Sequence, residues 1–340
     1  MFEKRLFRSL FAVISSIFSN FAPMEKKKMK IVFIVNPISG TKSKDGLEGL
    51  VKTIIDEKRF EWSIVKTEYA GHAAEIATRC ADEGVDICAA VGGDGTVNEV
   101  ARSLVQRETA LAIIPCGSGN GLARHLCLPM SMKGSLRILN ECCVKAFDYG
   151  MANDKPFFCT CGMGFDAHVA LKFAESGKRG LSTYAKMVMK EGMSYKPQNY
   201  TIQYEGGEKQ TVNAFLVDVA NAAQYGNNTY IAPGASIQDG VLDVVIAKDL
   251  KVGARPRMLT DLFMKTLRNN KHIDLVQTTR LHIHRDEPGA FQIDGDPFMA
   301  GTDFDICIVA GGLKAVTNPK KIEDKAKPNG IANALTKIHI

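Results

Sequence analysis

The first half of the chain alternates short apolar runs with helical spacings. Residues 31–35 (IVFIV), 62–66, 87–91 (ICAAV) and 111–115 (LAIIP) are compact apolar runs of the kind seen in strands buried on both faces. Between them, 47–58, 73–83 and 97–106 place apolar residues three and four apart, which predicts helices. Strand and helix taking turns in this way is how a parallel sheet covered by helices reads. After about residue 150 the rhythm changes. Residues 201–204, 212–220, 241–247, 281–284, 291–294 and 304–309 read as strands at hairpin-like spacing, with helical insertions near 166–192 and 252–269. The expected fold class is an α/β N-terminal domain with a parallel sheet, followed by a mostly antiparallel β-rich domain. The tail from Lys320 is polar, and no internal repeat is visible.

The first residues follow neither rhythm. On a helical wheel of residues 2–22, Phe2, Leu6, Phe7, Leu10, Val13, Ile14, Ile17, Phe18 and Phe21 share one half, and Lys4, Arg5, Arg8, Ser15, Ser16 and Ser19 share the other. Only Glu3 intrudes on the apolar arc. A basic, aromatic-rich amphipathic helix of this type lies in the headgroup plane of a bilayer. The cluster Lys26, Lys27, Lys28 and Lys30 behind it suits an anionic leaflet. Two other readings stay open: a secretory signal, although serines break the apolar run, or translation that begins at Met24 or Met29.

Composition narrows the function classes. A chain of 340 residues suggests two domains, and 45% hydrophobic with 24% charged residues is ordinary for a globular protein. The net charge of +6 is unevenly placed: residues 1–30 and 314–340 are strongly basic, and the body between them carries a small negative balance. A nucleic-acid enzyme usually spreads positive charge along a groove of the fold, so that class is disfavoured and no nucleic-acid partner is expected. The basic ends suit an anionic surface. Nine cysteines with no CxxC spacing point to free thiols and a reducing, cytoplasmic setting. His282 and His284 share a strand face but have no third ligand in sequence, which favours a solvated face over a metal site.

Three glycine-rich turns follow predicted strands directly: VNPISG at 35–40, GGDGT at 92–96 and PCGSGNG at 115–121. All three open at the carboxyl edge of one parallel sheet, where open α/β folds bind ligands. Glycines allow close backbone approach, so the amides there can hold phosphate oxygens. GGDGT adds a carboxylate among those amides, which makes sense if a divalent cation lies between Asp94 and the phosphates. The plainer alternative is that Asp94 caps a helix over 96–106. A rival signature, G-x-G-x-x-A at Gly162, Gly164 and Ala167, follows an apparent strand at 157–161 and opens a dehydrogenase reading, although no regular βαβ repeat follows it.

Taken in order, GGDGT at 92–96 and PCGSGNGLARHL at 115–126 resemble the diacylglycerol kinase catalytic-domain family, which includes bacterial lipid kinases and sphingosine kinases. The resemblance runs from about residue 30 to 318 and takes in VNPISG, Asn221 with Tyr225 and Gly226, APGASIQDGVLDVVI at 232–246 and FQIDGDPF at 291–298. It implies an ATP-binding α/β domain over 30–150, rejoined by a returning segment at about 305–318. It also implies a β-sandwich lipid domain over 151–304, with ATP in the cleft between the two. Residues 1–29 and 319–340 then flank the fold as a basic amphipathic segment and a polar tail.

Carried over position by position, the resemblance puts Asn36, Ser39, Gly40, Thr67, Gly93, Asp94, Gly95, Thr96, Asn98, Glu99 and Ser118 on the nucleotide, with Asp94 near a catalytic Mg²⁺, through water if not directly. Asp239, with backbone groups of Ser236 and Val241, matches a structural Mg²⁺ site. The family's Asp-Gly-Glu motif stands here as Asp294-Gly295-Asp296, so the proton acceptor falls on Asp296, one methylene shorter than the family's glutamate. On spacing alone, Asp-Gly is also a common turn dipeptide. The implied activity is transfer of the γ-phosphate of ATP to the hydroxyl of a membrane lipid: a sphingoid base, a diacylglycerol or a relative. Asn120-Gly121 is closer to sphingosine kinases, yet the position resembling their amine-recognising aspartate is His168, with Asp166 two residues earlier. The apolar, Met-rich stretch 184–193 could line a lipid pocket or be plain core. Peripheral attachment to an anionic membrane surface fits such a substrate. The oligomeric state stays open, a homodimer included, and so does a binding protein of the same fold that has lost turnover.

Overall fold

The computed structural model describes residues 27–39, 44–177, 181–226, 229–248 and 270–318. The amphipathic start, Gly40, the insertion near 252–269 and the polar tail all lie outside the described residues.

Four parallel strands form the first layer: β1 (Met29–Val35), β2 (Phe60–Lys66), β3 (Ile87–Gly92) and β4 (Ala110–Pro115). They stand in the order β2-β1-β3-β4. β3 and β4 are buried along their whole length, which is why they read as unbroken apolar runs. The helices α1 (Leu47–Ile54), α2 (His72–Asp82) and α3 (Asp94–Leu104) cross over between the strands. α1 is shorter than its 47–58 pattern, because Asp56 accepts the amide of Lys58 at 3.0 Å and turns the chain toward β2. Two further helices, α4 (Gly121–His125) and α5 (Met132–Glu141), follow β4.

The second half is antiparallel. It contains β5 (Val144–Ala152), β6 (Lys155–Phe157), β7 (Thr160–Gly164), β8 (Gln198–Tyr204), β9 (Lys209–Ala220), β12 (Leu242–Lys248), β13 (Ile273–Thr278), β14 (Arg280–Arg285), β15 (Gly289–Ile293) and β16 (Asp296–Ala300). A small hairpin, β10 (Gln224–Gly226) with β11 (Thr229–Tyr230), stands apart from the main sheet. Phe157, Met163, Tyr200, Val217, Leu281, Phe291 and Phe304 lie in the core enclosed by the sandwich. Helices α6 (Phe165–Glu175) and α7 (Leu181–Ser194) cover its outer side through Phe165, Val169, Phe215 and Val245. The last strand, β17 (Asp303–Val316), pairs with β14 and β5, shifts register between Val309 and Leu313, and then meets β4 in parallel at Ala315 and Leu111. One continuous sheet therefore passes from the sandwich into the α/β layer.

The G-x-G-x-x-A segment does not build a dinucleotide site. β7 is antiparallel to both β9 and β15, whereas that fingerprint needs a parallel βαβ unit. Its glycines serve packing instead: a Cβ on Gly162 would stand 2.7 Å from Asp218 Oδ2. His282 and His284 face Asp305 and Asp303 at 3.0 and 2.9 Å on an exposed strand face. No group of three or more metal-ligating side chains is gathered among the described residues.

Candidate active site

The turns after β1, β3 and β4 converge at the carboxyl edge of the parallel layer and touch one another. Ser39 Oγ donates to Asn36 O at 3.2 Å, and Thr96 Oγ1 reaches Ser39 Oγ at 3.5 Å. Gly92 lies directly beneath this contact. A Cβ there would stand 2.5 Å from Thr96 Oγ1 and 2.9 Å from Ser39 Oγ, so only glycine lets the turns meet. Thr67 is buried at the end of β2, its amide bonded to Val35 O at 2.9 Å. Gly95 and Ser118 are exposed at the rim.

Helix α3 begins at Asp94, earlier than its apolar pattern suggests, and Asp94 does not cap it. Its carboxylate reaches the neighbouring turn, accepting the amides of Asn120 at 2.9 Å and Gly121 at 2.8 Å. Gly119 makes room, since a Cβ there would lie 2.6 Å from Asp94 Oδ2. Asn98, one turn further along α3, is buried, and its Nδ2 has no partner. Glu99 is partly committed to the fold, accepting the amide of Ala73 at 3.2 Å.

The sandwich supplies the opposite wall. Asp294 and Gly295 form the two-residue turn between β15 and β16, both with positive φ (52° and 87°), which suits an Asp-Gly hairpin. The turn is not a solvated one. Asp294 carboxylate oxygens accept the amides of Phe158 at 3.0 Å, Cys159 at 2.6 Å and Thr160 at 3.1 Å. Those amides interrupt the strand expected over 157–161, which splits into β6 and β7. Burial pushes the Asp294 carboxyl up to about 6, against the pull of these three amides and of Arg102. Asp296, two residues on, is exposed. The protein around it displaces part of its water and raises its carboxyl above the ordinary range; Arg102 opposes that rise, and Asp94 and Glu99 add to it.

A small pocket joins the two walls, lined by Asp94, Asn98 and Asn120 on one side and by Cys159, Thr160, Tyr225 and Asp294 on the other. Asn221 braces the segment behind Asp294, donating to Asp148 O at 3.0 Å and to Phe158 O at 2.9 Å. Asp239, Ser236 and Val241 lie away from this pocket, in the turn before β12, where Asp239 Oδ1 accepts the Val241 amide at 3.3 Å. Asp148 faces the same turn, accepting the Gly240 amide at 2.8 Å. His168 is paired with Glu191 at 3.0 Å. Asp166 forms a buried polar group with Asp218, Gln292 and Tyr225. The methionines of α7 divide: Met187 packs against the core, whereas Met189 and Met193 are 60% and 70% exposed.

Arg102 belongs to no motif: it stands outside GGDGT, and its one signal in the sequence is a four-residue step from Asn98, which stands four residues from Asp94 on the same helix.

Residues 30–152 match the diacylglycerol kinase catalytic domain, and residues 159–306 match the YegS C-terminal NAD kinase beta sandwich-like domain. The chain belongs to the diacylglycerol kinase catalytic-domain family. It is a phosphotransferase of the lipid-kinase class. A relative from Chromohalobacter salexigens named "Probable lipid kinase YegS-like" is 29% identical over 233 residues, 67% of this chain and 75% of its own. The diacylglycerol kinase of Bacillus subtilis is 27% identical over 277 residues, 79% of this chain and 90% of its own. Among solved structures, a diacylglycerol kinase from Bacillus anthracis superposes with a TM-score of 0.69 at 24% identity, covering 86% of this chain and 98% of its own. Yeast NADH kinase shares the fold at a TM-score of 0.50 and 10% identity, covering 92% of this chain and 91% of its own.

Proposed function

We propose that this family member transfers the γ-phosphate of ATP to the hydroxyl of a membrane lipid, a sphingoid base, a diacylglycerol or a related lipid, with Asp296 as the proton acceptor. One observation carries the reading. Of the two carboxylates in Asp294-Gly295-Asp296, the first is used up by three backbone amides, while the second is exposed and feels the charges of Arg102, Asp94 and Glu99 on the other wall. The turn thus fixes one carboxylate so that the other can work.

In the reaction the acceptor oxygen bonds to the γ-phosphorus, the bond from that phosphorus to the bridging oxygen breaks, and ADP leaves with the electron pair. Asp296 takes the hydroxyl proton. Phosphoryl transfer asks chiefly for positioning and charge stabilisation. The convergent turns, with Asn36, Ser39, Gly93, Gly95, Thr96 and Ser118, supply donors for the phosphates, and Thr67 and Glu99 close the flank. The donor set suits Mg²⁺, with one qualification. Each oxygen of Asp94 already accepts an amide, which leaves lone pairs free for a hydrated ion rather than for a bare one. Bound Mg²⁺ would neutralise charge on the phosphates. A second, structural Mg²⁺ at Asp239, with backbone groups of Ser236 and Val241, belongs to the same reading; Asp148 alongside supports it.

Such an acceptor sits in a bilayer. No helix among the described residues is long and apolar enough to cross one. The basic, amphipathic residues 1–29 and the exposed Met189 and Met193 support attachment at an anionic surface.

The test is transfer of labelled γ-phosphate from Mg·ATP to sphingosine, dihydrosphingosine, ceramide, monoacylglycerol and diacylglycerol in mixed micelles, with D296N alongside. Labelling of one lipid, lost in D296N, supports the reading and names the acceptor. Normal ATP binding with no labelled lipid overturns it in favour of a binding protein of the same fold.

A further inference from the structure

Asp94, Asn98 and Arg102 recur every four residues on α3 and so share one face of that helix, the face whose Asp94 and Asn98 line the pocket. Asp94 is satisfied by two amides. The other two are not. Asn98 is 5% exposed with Nδ2 unpartnered, and the Nε of Arg102 is buried, also without a partner. Arg102 makes no ion pair among the described residues, although its charge acts on both Asp294 and Asp296. A half-buried guanidinium whose charge reaches two carboxylates without an ion pair to either is costly unless something else completes it. Side chains lean toward the N-terminus of their helix, which carries the Arg102 guanidinium back toward Asn98 and the phosphate-binding turns. The missing partner must be anionic, accept several hydrogen bonds and fit between α3 and Asp296. A phosphoryl group has that chemistry, and guanidinium matches its oxygens in a bidentate way.

We propose that Arg102, with Asn98, binds the phosphoryl group in transit between ATP and acceptor, as a catalytic arginine supplied from within the chain. This inference rests on the lipid-kinase reading for its acceptor, but not for its binding test. With the acceptor hydroxyl on the Asp296 side and the nucleotide on the Asp94 side, Arg102 neutralises charge on the equatorial oxygens as they pass. Its charge also favours the ionised form of Asp296, the form that can accept a proton. Asp294 and Asp296 are the carboxylates on which its charge acts, and Asp94 and Glu99 act on Asp296 in the opposite sense.

Binding of ADP, of a non-hydrolysable ATP analogue and of ADP with beryllium fluoride is measured by calorimetry with Mg²⁺, without lipid, on the full chain and on R102Q and R102K. Wild type is expected to prefer the two ligands that carry a γ-group, and R102Q to lose that preference while ADP affinity stays within about threefold. R102K, which keeps the charge but not the fork, retains part of it. With whichever lipid is phosphorylated, kcat of R102Q falls by roughly 100-fold or more with little change in KM for ATP. An unchanged γ-preference in R102Q overturns the proposal. So does a loss of ADP affinity in step with the analogue, or equal unfolding of R102K and R102Q, since either marks a structural residue. A γ-preference that depends on Arg102 in a protein that labels no lipid would leave this subsite standing and sink the lipid acceptor.

Discussion

Asp294 Oδ1 lies 2.6 Å from the amide nitrogen of Cys159, the shortest of the bonds by which one carboxylate gathers three successive amides at the break between β6 and β7. Asp294 is therefore a clamp. In D294N one carboxylate oxygen becomes an NH₂ that points a donor at the Phe158 amide, and the remaining neutral oxygen must serve all three amides without a charge to assist them. A loss of about 1–3 kcal/mol is expected, read as a lower urea midpoint, together with a fall in activity. If D294N unfolds like wild type and only its turnover changes, Asp294 acts on the reaction directly.

Asp296 should behave in the opposite way. D296N is expected to keep its urea midpoint and its ATP affinity while kcat falls by about 10²–10⁴, the usual worth of a general base. D296E restores the longer acid of the family motif and should retain activity. Because the base must be ionised, kcat/KM rises with pH along its acid limb. The partial loss of water around Asp296 places that limb above the ordinary aspartate value of about 3.9. A pH–rate profile of D296N that keeps the same limb would assign it to another group.

Asp166 and Asp218 form a buried carboxylate pair whose protonation is tied to stability. Burial pushes Asp166 up to about 6 and holds Asp218 well above the ordinary carboxylate range, with Tyr225 and Gln292 donating to the latter. For acids whose folded pKa lies above the unfolded one, the folded state holds more protons, so stability falls as pH rises from about 4 through 6. D218N removes one of the two charges. It should be more stable than wild type at pH 8, by on the order of 2 kcal/mol, with the gap shrinking toward pH 4. Melting temperatures across that range decide it, and a gap that is flat with pH would show that the pair does not titrate with folding.

The contact between the GGDGT and GSGNG turns leaves no room for a side chain at Gly119, where a Cβ would sit 2.6 Å from Asp94 Oδ2. G119A must push Asp94 off the amides of Asn120 and Gly121. ATP affinity is expected to fall by about tenfold, with a stability loss of about 1–3 kcal/mol. G49A, in α1 and outside the site turns, where nothing lies within 4 Å, is the control that should lower neither.

What the residues determined by themselves is local. Apolar runs buried on both faces named β1, β3 and β4 because a doubly covered strand has no polar side to show. Three glycine turns after three strands marked the edge where they meet, and an Asp-Gly dipeptide marked a hairpin between Ile293 and Asp296. The ordered motifs then carried the family. Only the tertiary structure decided what each polar group does once its neighbours arrive. Asp94 reads as a cap of its own helix or a metal ligand, yet it binds amides 26 and 27 residues away. Asp294 and Asp296 are chemically identical in sequence and are told apart by amides 134–136 residues distant, which reach the first and not the second. Arg102 carries no motif at all; its unpartnered Nε becomes visible only when α3 and the sandwich close on one cleft. Hydrogen bonds and burial act through space, and across such separations in the chain no local pattern records them.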